Sequence, residues 1–121
     1  MRFMTIVKTR ETDAQPSPAL IDKIVKLGEE GSKQGVMVGM GGLGPTALGA
    51  RARLSKGKIT VTDGPFTEAK EVIGGYAIYD VASKQEAIAW TRAFLEAHIG
   101  LWDHDLEVEI RQMMDGGPEG C

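Results

Sequence analysis

The chain has 121 residues, 42% of them hydrophobic, which is enough for one domain that holds its own core without a metal or a disulfide. Its net charge of −3, with acidic and basic residues interspersed, argues against a nucleic-acid-binding protein, which usually carries a basic stripe. The single cysteine, Cys121, excludes an internal disulfide, and no apolar run approaches the ~18 residues of a membrane span. We therefore expect a soluble cytoplasmic protein with no signal peptide and no membrane partner.

The first forty residues predict a strand, an amphipathic helix and a second strand. Residues 3–7 carry apolar side chains on both faces, which is typical of a central strand. Ser17 can cap a helix and Pro18 suits its first turn. An apolar stripe at helical spacing follows them, made of Leu20, Ile21, Ile24, Val25 and Leu27. Residues 36–40 predict the second strand.

A glycine-rich segment follows the second strand. Its sequence GMGGLG, at residues 39–44, matches the G-x-G-x-x-G pattern of dinucleotide-binding loops, which need a helix directly after them. Here the alternating residues 50–54 predict a strand instead, so we interpret the segment as a connector and expect no cofactor. A phosphate-binding loop is the alternative. Gly41 and Gly42 are candidate ligand contacts, because this segment would lie at the rim of a pocket.

Two alternating segments, residues 50–55 and 58–62, predict a hairpin with a two-residue turn that ends in glycine. The alternation places Arg51 and Arg53 on the same face. They form either a solvated strand face or a pair that binds an anion, since the guanidinium group suits carboxylates and phosphates.

The segment of residues 61–76 joins the hairpin to the next strand. Its Asp-Gly-Pro sequence at residues 63–65 predicts a sharp turn, in which Gly64 can take a positive φ. Residues 67–71 predict one or two helical turns, which the glycines at 74–75 would end.

The rest of the chain predicts a strand, a helix and a closing strand. Residues 76–81 are apolar and are followed by Ser83 and Glu86, which have the spacing of a capping box at a helix start. Trp90 lies on the apolar stripe of this helix and is predicted to be in the core. Residues 106–113 alternate strictly, which predicts a strand with one solvent-facing side.

The run DGPFTEAKE at residues 63–71, followed by GGY at residues 74–76, resembles the signature of the DGPF branch of the YCII-related family. The opening strand, first helix, glycine-rich stretch and closing EIR strand occur in the family's order, so the resemblance covers residues 1–113. It implies an α+β fold with ferredoxin-like subunits that pair into a dimeric α+β barrel. We expect one domain over residues 1–113 and a flexible tail over residues 114–121.

The strand pattern favours the same homodimer. Several strands are apolar on both faces, whereas the two predicted helices can cover only one face of an antiparallel sheet. A second copy of the chain is the simplest cover for the other face.

Asp63 is the first candidate for chemistry, because an acid beside a turn at the end of a sheet can act as a base or anchor a ligand. It can also simply form the turn. The same segment holds two charged and two aromatic candidates for a ligand pocket. These are Lys70, Glu71, Phe66 and Tyr76, which could instead pair on the surface or pack in the core.

Neither histidine predicts a catalytic or metal centre. His98, near the end of the second helix, complements the helix dipole. The consecutive residues Asp103, His104 and Asp105 seldom converge on one ion, so we expect no metal site. Other YCII-related proteins pair an early histidine with an aspartate, but this chain has no histidine before position 98.

Two classes of function follow. The first is a homodimer that binds a small polar ligand in a pocket near the turn of residues 63–66. The alternative is an enzyme of lyase, isomerase or dehydrochlorinase type, with Asp63 as base and Arg51 and Arg53 holding an anion. A transcription-linked regulator is a weaker alternative, because the acidic balance gives it no support.

Overall fold

A computed structural model describes residues 1–114. Within them the chain forms β1 (Arg2–Thr9), α1 (Pro18–Lys33), β2 (Met37–Gly42), β3 (Ala50–Ser55), β4 (Lys58–Asp63), β5 (Val72–Asp80), α2 (Lys84–His98) and β6 (Leu106–Gln112). A short 3-10 helix, Thr46–Leu48, lies between β2 and β3. Cys121 and all of the predicted tail beyond residue 114 lie outside the described residues.

The main sheet has four antiparallel strands in the order β2-β5-β1-β6, and β3 and β4 form a separate hairpin. The opening strand β1 is central, as predicted: Thr5 pairs with Ala77 on β5 and with Ile110 on β6. The two helices pack against one face of this sheet. The predicted α+β, ferredoxin-like subunit is therefore confirmed.

The apolar core lies between that face of the sheet and α2. Its buried residues are Phe3, Tyr79, Val81 and Ala87, and the ring of Trp90 stacks on that of Tyr79 with a centroid separation of 5.6 Å. The predicted core position of Trp90 is confirmed. On α1, Leu20 is the most buried of the large side chains, with 1% of its surface exposed.

Both helix starts follow from local sequence. The Ser17 Oγ atom accepts a hydrogen bond from the Leu20 amide at 3.2 Å, and the Ser83 Oγ atom accepts one from the Glu86 amide at 3.2 Å. The Glu86 carboxylate in turn accepts from the Ala82 amide at 2.8 Å. The predicted capping box is thus present, with its second bond one residue earlier than expected.

Some local predictions are wrong. Residues 67–71 form a single turn, in which the Ala69 amide donates to the Phe66 carbonyl at 3.1 Å, and not a helix. The glycines at 74–75 lie inside β5, because pairing with β1 and β2 extends that strand to Val72. Likewise β2 continues through Gly42, so the glycine-rich segment is partly strand.

The reason why position 64 requires a glycine also differs from the prediction. In the described chain, the glycines with positive φ are Gly35, Gly57 and Gly100. At Gly64, a Cβ atom would overlap the carbonyl oxygen of Thr46. Close approach of two backbone segments, and not a positive φ, therefore requires glycine here.

No helix within residues 1–114 combines the length and apolar character needed to cross a bilayer.

Candidate functional site

A cavity of about 330 Å³ lies between the sheet and the two helices. Its floor is formed by side chains of the central strands, which include Thr5, Val7 and Ala77. Its walls come from the inner faces of the helices, which include Leu20, Leu27 and Phe94. This volume lies at the lower end of the range for small-molecule pockets, about 300–1,000 Å³.

Small residues border this cavity, and the space beside one of them, Gly42, is open. Gly42 on β2 pairs with Gly75 on β5, and both line the cavity together with Ala77 and with Gly28 on α1. A Cβ atom on Gly42 would meet no atom within 4 Å. At Gly28, by contrast, a Cβ atom would meet the Met40 sulfur at 2.8 Å, and at Gly75 it would meet the Gly41 carbonyl oxygen at 3.0 Å. The open space therefore lies beside Gly42, and a side chain at position 42 could fill it.

The lining is almost free of charge. Among the described residues that line the cavity, none is aspartate, glutamate, lysine or arginine. Burial raises the pKa of the Tyr79 hydroxyl above its ordinary value, because the phenolate would be poorly solvated there. Tyr79 therefore stays a neutral phenol.

Two polar side chains of the lining were not predicted as site residues. The Nδ1 atom of His98 lies 2.8 Å from the Phe94 carbonyl oxygen. A carbonyl can only accept, so the Nδ1 atom carries a proton in this contact. In residues 1–114, the Nε1 atom of Trp102 is the buried side-chain nitrogen without a hydrogen-bond partner.

A sequence signal existed for only one of these two residues. His98 follows Phe94 by four positions on the apolar stripe of α2, and the two rings lie 4.7 Å apart. Trp102 lies in the irregular segment between α2 and β6, where no periodic pattern predicts which way a side chain points.

Residues 43–71 leave the main sheet after β2 and return to it at β5, and we call them the β2–β5 connection. Thr46 anchors this connection to the loop after β1. Its amide and its Oγ1 atom each donate to the Glu11 carboxylate at 2.6 Å, and its Oγ1 atom accepts from the Phe66 amide at 3.0 Å. These hydrogen bonds from Thr46 hold the pKa of Glu11 below its ordinary value.

Arg51 contacts the same turn from the hairpin. Its guanidinium carbon lies 3.9 Å from the centre of the Phe66 ring, and its Nη1 atom forms an ion pair with Glu68. The hydrogen bond from Arg51 lowers the pKa of the Glu68 carboxyl. Arg51 thus already has an anionic partner within the chain, which any anionic ligand would have to displace.

A family model described as the YCII-related domain matches residues 1–113. The chain belongs to the YCII-related family. An uncharacterised protein of Rhizobium meliloti (strain 1021), R00369, is 41% identical to it over 54 residues. That match covers 45% of this chain and 44% of the relative, so the chain spans less than half the length of this curated protein. The DGPF branch within the family stays a prediction.

The predicted site residues of this YCII-related protein fall into two groups. Gly41, Gly42 and Tyr76 border the cavity. The ring of Tyr76 lies against Gly41, on the face of the sheet that the helices leave uncovered.

The other predicted residues lie on the β2–β5 connection, and none of them lines the cavity. Phe66 is half-buried and the rest are exposed: Asp63, Arg51, Arg53, Lys70 and Glu71. Among residues 1–114, no group of three histidine, cysteine, aspartate or glutamate side chains could hold a metal ion.

The Thr46 anchor predicts a pH-dependent contact. Because the pKa of Glu11 is lower in the folded than in the unfolded chain, Glu11 stabilises the fold above its ordinary pKa. That contribution is lost as the pH falls through the folded value. Thr46→Val removes the hydroxyl donor and keeps the amide, so we expect the Glu11 titration midpoint to rise but to stay below that of a free glutamate.

The midpoint can be followed by the carboxyl ¹³C shift of Glu11 in NMR spectra recorded across the acid range. Thr60→Val, on the exposed strand β4, is the matched control and should leave the Glu11 midpoint unchanged. An equal midpoint in Thr46→Val and the unmodified chain would show that Thr46 does not hold Glu11 in solution.

Proposed function

We propose that this YCII-related protein is a small-molecule-binding homodimer whose ligand occupies the cavity between the helices and the sheet. The observation that supports this most is the cavity of about 330 Å³, which Gly42, Gly75 and Ala77 border and which is open beside Gly42. In a chain of this size, concave apolar spaces with few polar groups are the usual sites for small ligands.

The turn of residues 63–66 would then close one end of this cavity. Thr9, Gly42 and Gly74 line the cavity near the strand ends from which the neighbouring loops leave. The Leu43 amide donates to the Gly74 carbonyl at 3.0 Å, which fixes the start of the β2–β5 connection beside the cavity. This arrangement supports a ligand site close to the predicted turn, with Asp63 and Phe66 on the segment that would cover it.

The uncovered face of the main sheet supports the homodimer. This open face presents Met4, Ile6, Tyr76 and Ile78, which alternate with the residues that face the helices. At its β6 side the carboxylate of Glu109 binds Lys8 at 3.1 Å and Arg111 at 2.8 Å. An apolar centre with a paired, charged rim is typical of a protein–protein interface.

The hairpin offers a second apolar surface. Every residue of β3 and β4 is exposed, and Leu54 and Ile59 pair on one face with 72% and 75% of their surfaces open. An isolated two-stranded hairpin is marginally stable in water. Contact with a second copy of the chain would cover this face and stabilise the hairpin.

The proposed function can be tested by filling the cavity. We expect a panel of small metabolites, screened by ligand-observed NMR, to give compounds that bind the unmodified protein and fail to bind Gly42→Phe. Gly44→Phe places the same side chain two residues later, outside the cavity lining, and should bind them as before. Compounds that bind both variants equally well would contradict a ligand site in this cavity.

The enzyme alternative is tested in the same samples. Asp63 is exposed at the end of β4 and does not line the cavity, so a role in turnover requires its segment to approach the bound compound. Conversion of a bound compound that stops in Asp63→Asn, while the compound still binds, would favour an enzyme with Asp63 as base. Binding without conversion in the unmodified protein favours a binding protein.

A further inference from the structure

Building on the proposed function, we propose that the cavity binds an uncharged, mostly apolar ring compound. This differs from the small polar ligand that the sequence predicts. The cavity lining supplies the reasons, which concern its charge, its hydrogen-bond donors and its aromatic walls.

The first reason is the absence of a partner for an ionic ligand. The ion pairs of the described chain lie on its outer surface or at its N-terminus, and none of their side chains lines the cavity. An ion that leaves water without an opposite charge or several hydrogen bonds is strongly destabilised. A carboxylate or an ammonium group is therefore disfavoured in this cavity.

The second reason is that the threonine hydroxyls of the lining already donate within the protein. Thr5 donates to the Ala77 carbonyl at 3.1 Å, Thr9 to the Arg10 carbonyl at 3.3 Å, and Thr91 to the Ala87 carbonyl at 2.9 Å. A carboxylate held without a cation needs two or three donors. These hydroxyls cannot supply them without losing their own bonds.

The imidazole of His98 points to the same conclusion. Its Nδ1 proton is held by the Phe94 carbonyl, so Nε2 is the ring nitrogen that is free to meet a ligand. In an imidazole with its one proton on Nδ1, Nε2 is an acceptor, which repels a carboxylate and attracts a donor such as a phenol or an amine N–H. With the Nε1–H group of Trp102, which has no partner within residues 1–114, the lining then offers one donor and one ring nitrogen, which suit an uncharged compound.

The third reason is the aromatic character of the walls. Phe94, Trp102 and Tyr79 line the cavity, together with aliphatic side chains such as Leu27. Aromatic rings pack edge to face or offset against one another with a gain beyond burial alone. A volume of about 330 Å³ then suits a compound of one to three rings.

Two dyes with one skeleton test the charge requirement. N-phenyl-1-naphthylamine is uncharged, and 8-anilinonaphthalene-1-sulfonate adds only a sulfonate to the same rings. We expect the full chain to bind the uncharged dye at least about tenfold more tightly than the sulfonate, because the sulfonate would be buried without a partner. Dye emission and energy transfer from the two tryptophans report binding.

Cavity-filling variants locate the bound dye. Gly42→Phe should lower the affinity for the uncharged dye at least about tenfold, since the added ring occupies the space of the dye. Gly44→Phe should leave this affinity unchanged. Ala77→Leu fills the cavity from the floor. It serves as a second variant in case the Gly42→Phe substitution disturbs β2. Amide NMR spectra of each variant check that the fold is retained.

The outcomes separate the inference from the proposed function. Suppose that the sulfonate dye binds as tightly as the uncharged dye, or more tightly, and that Gly42→Phe abolishes its binding. This result would overturn the inference that the ligand is uncharged, and it would still support the cavity as a binding site. If neither Gly42→Phe nor Ala77→Leu weakens binding of the uncharged dye, the dye binds elsewhere, for example on the exposed hairpin. This result would contradict both the inference and the proposed function. Weak sulfonate binding together with loss of the uncharged dye in Gly42→Phe supports both.

Discussion

Gly64→Ala is expected to lower the free energy of unfolding by roughly 1–3 kcal/mol, the usual cost of forcing an atom into occupied space. The added Cβ atom would overlap the Thr46 carbonyl oxygen, and the Gly64 amide is held at the same time by the Gly49 carbonyl at 2.9 Å. The backbone of the β2–β5 connection must therefore shift. Urea denaturation followed by circular dichroism measures the loss.

Gly44→Ala is the matched control for this change. A Cβ atom there would lie 3.6 Å from the nearest atom of Leu48, which is an ordinary contact. We expect an effect within about 0.5 kcal/mol, as for most surface substitutions. Equal stability of Gly64→Ala and Gly44→Ala would mean that Gly64 and Thr46 do not approach each other in solution.

The second large effect is expected at the open face of the sheet. Ile78 lies on β5, paired with Met4 on β1 and with Gly39 on β2, near the centre of that face. In the proposed homodimer, Ile78→Asp would bury a carboxylate without a partner. We expect the dimer dissociation constant to rise by at least about 100-fold, the effect of losing a central interface residue.

Sedimentation velocity over the micromolar range measures this change. Ile99→Asp adds the same charge at a side chain that is 76% exposed, just after α2 and away from the open face, and should leave the dimer intact. An unmodified protein that sediments as a monomer would refute the homodimer. A dimer that survives Ile78→Asp would place the interface elsewhere, with the hairpin face of Leu54 and Ile59 as the next surface to change.

Elements with local signals could be predicted from the sequence. Ser17 and Ser83 cap the two helices as expected, since a cap depends on residues within one turn. The hairpin turn at Lys56 and Gly57 was also predictable, because a two-residue linker that ends in glycine favours a tight hairpin. In the structure both residues have positive φ. These features depend on few neighbours in sequence.

Features that depend on distant residues could not be predicted. The cavity is bordered by Gly42 and Gly75, which are 33 positions apart in the sequence and become neighbours in the sheet. From the sequence alone, the same glycines favoured a connector and a helix end. Residues 67–71 form a turn in place of the predicted helix. They lie in a connection that contacts distant residues, as in the Glu68 ion pair with Arg51 on the hairpin, and local helix propensity does not include such contacts.

The candidate site was predicted only in part for the same reason. Gly41, Gly42 and Tyr76 border the cavity, but His98 and Trp102 join it through the packing of α2 and of the segment that follows it. That Asp63 and its neighbours on the β2–β5 connection contact a ligand stays a prediction. Their role depends on what this connection covers when a ligand is bound.

A crystal structure of the protein with N-phenyl-1-naphthylamine tests the central claim most directly. We expect electron density for the dye between the helices and the sheet, in contact with Ala77 on the floor and Phe94 on the wall. Density for the dye on the open face or on the hairpin, with the space beside Gly42 unchanged, would contradict a ligand site in this cavity.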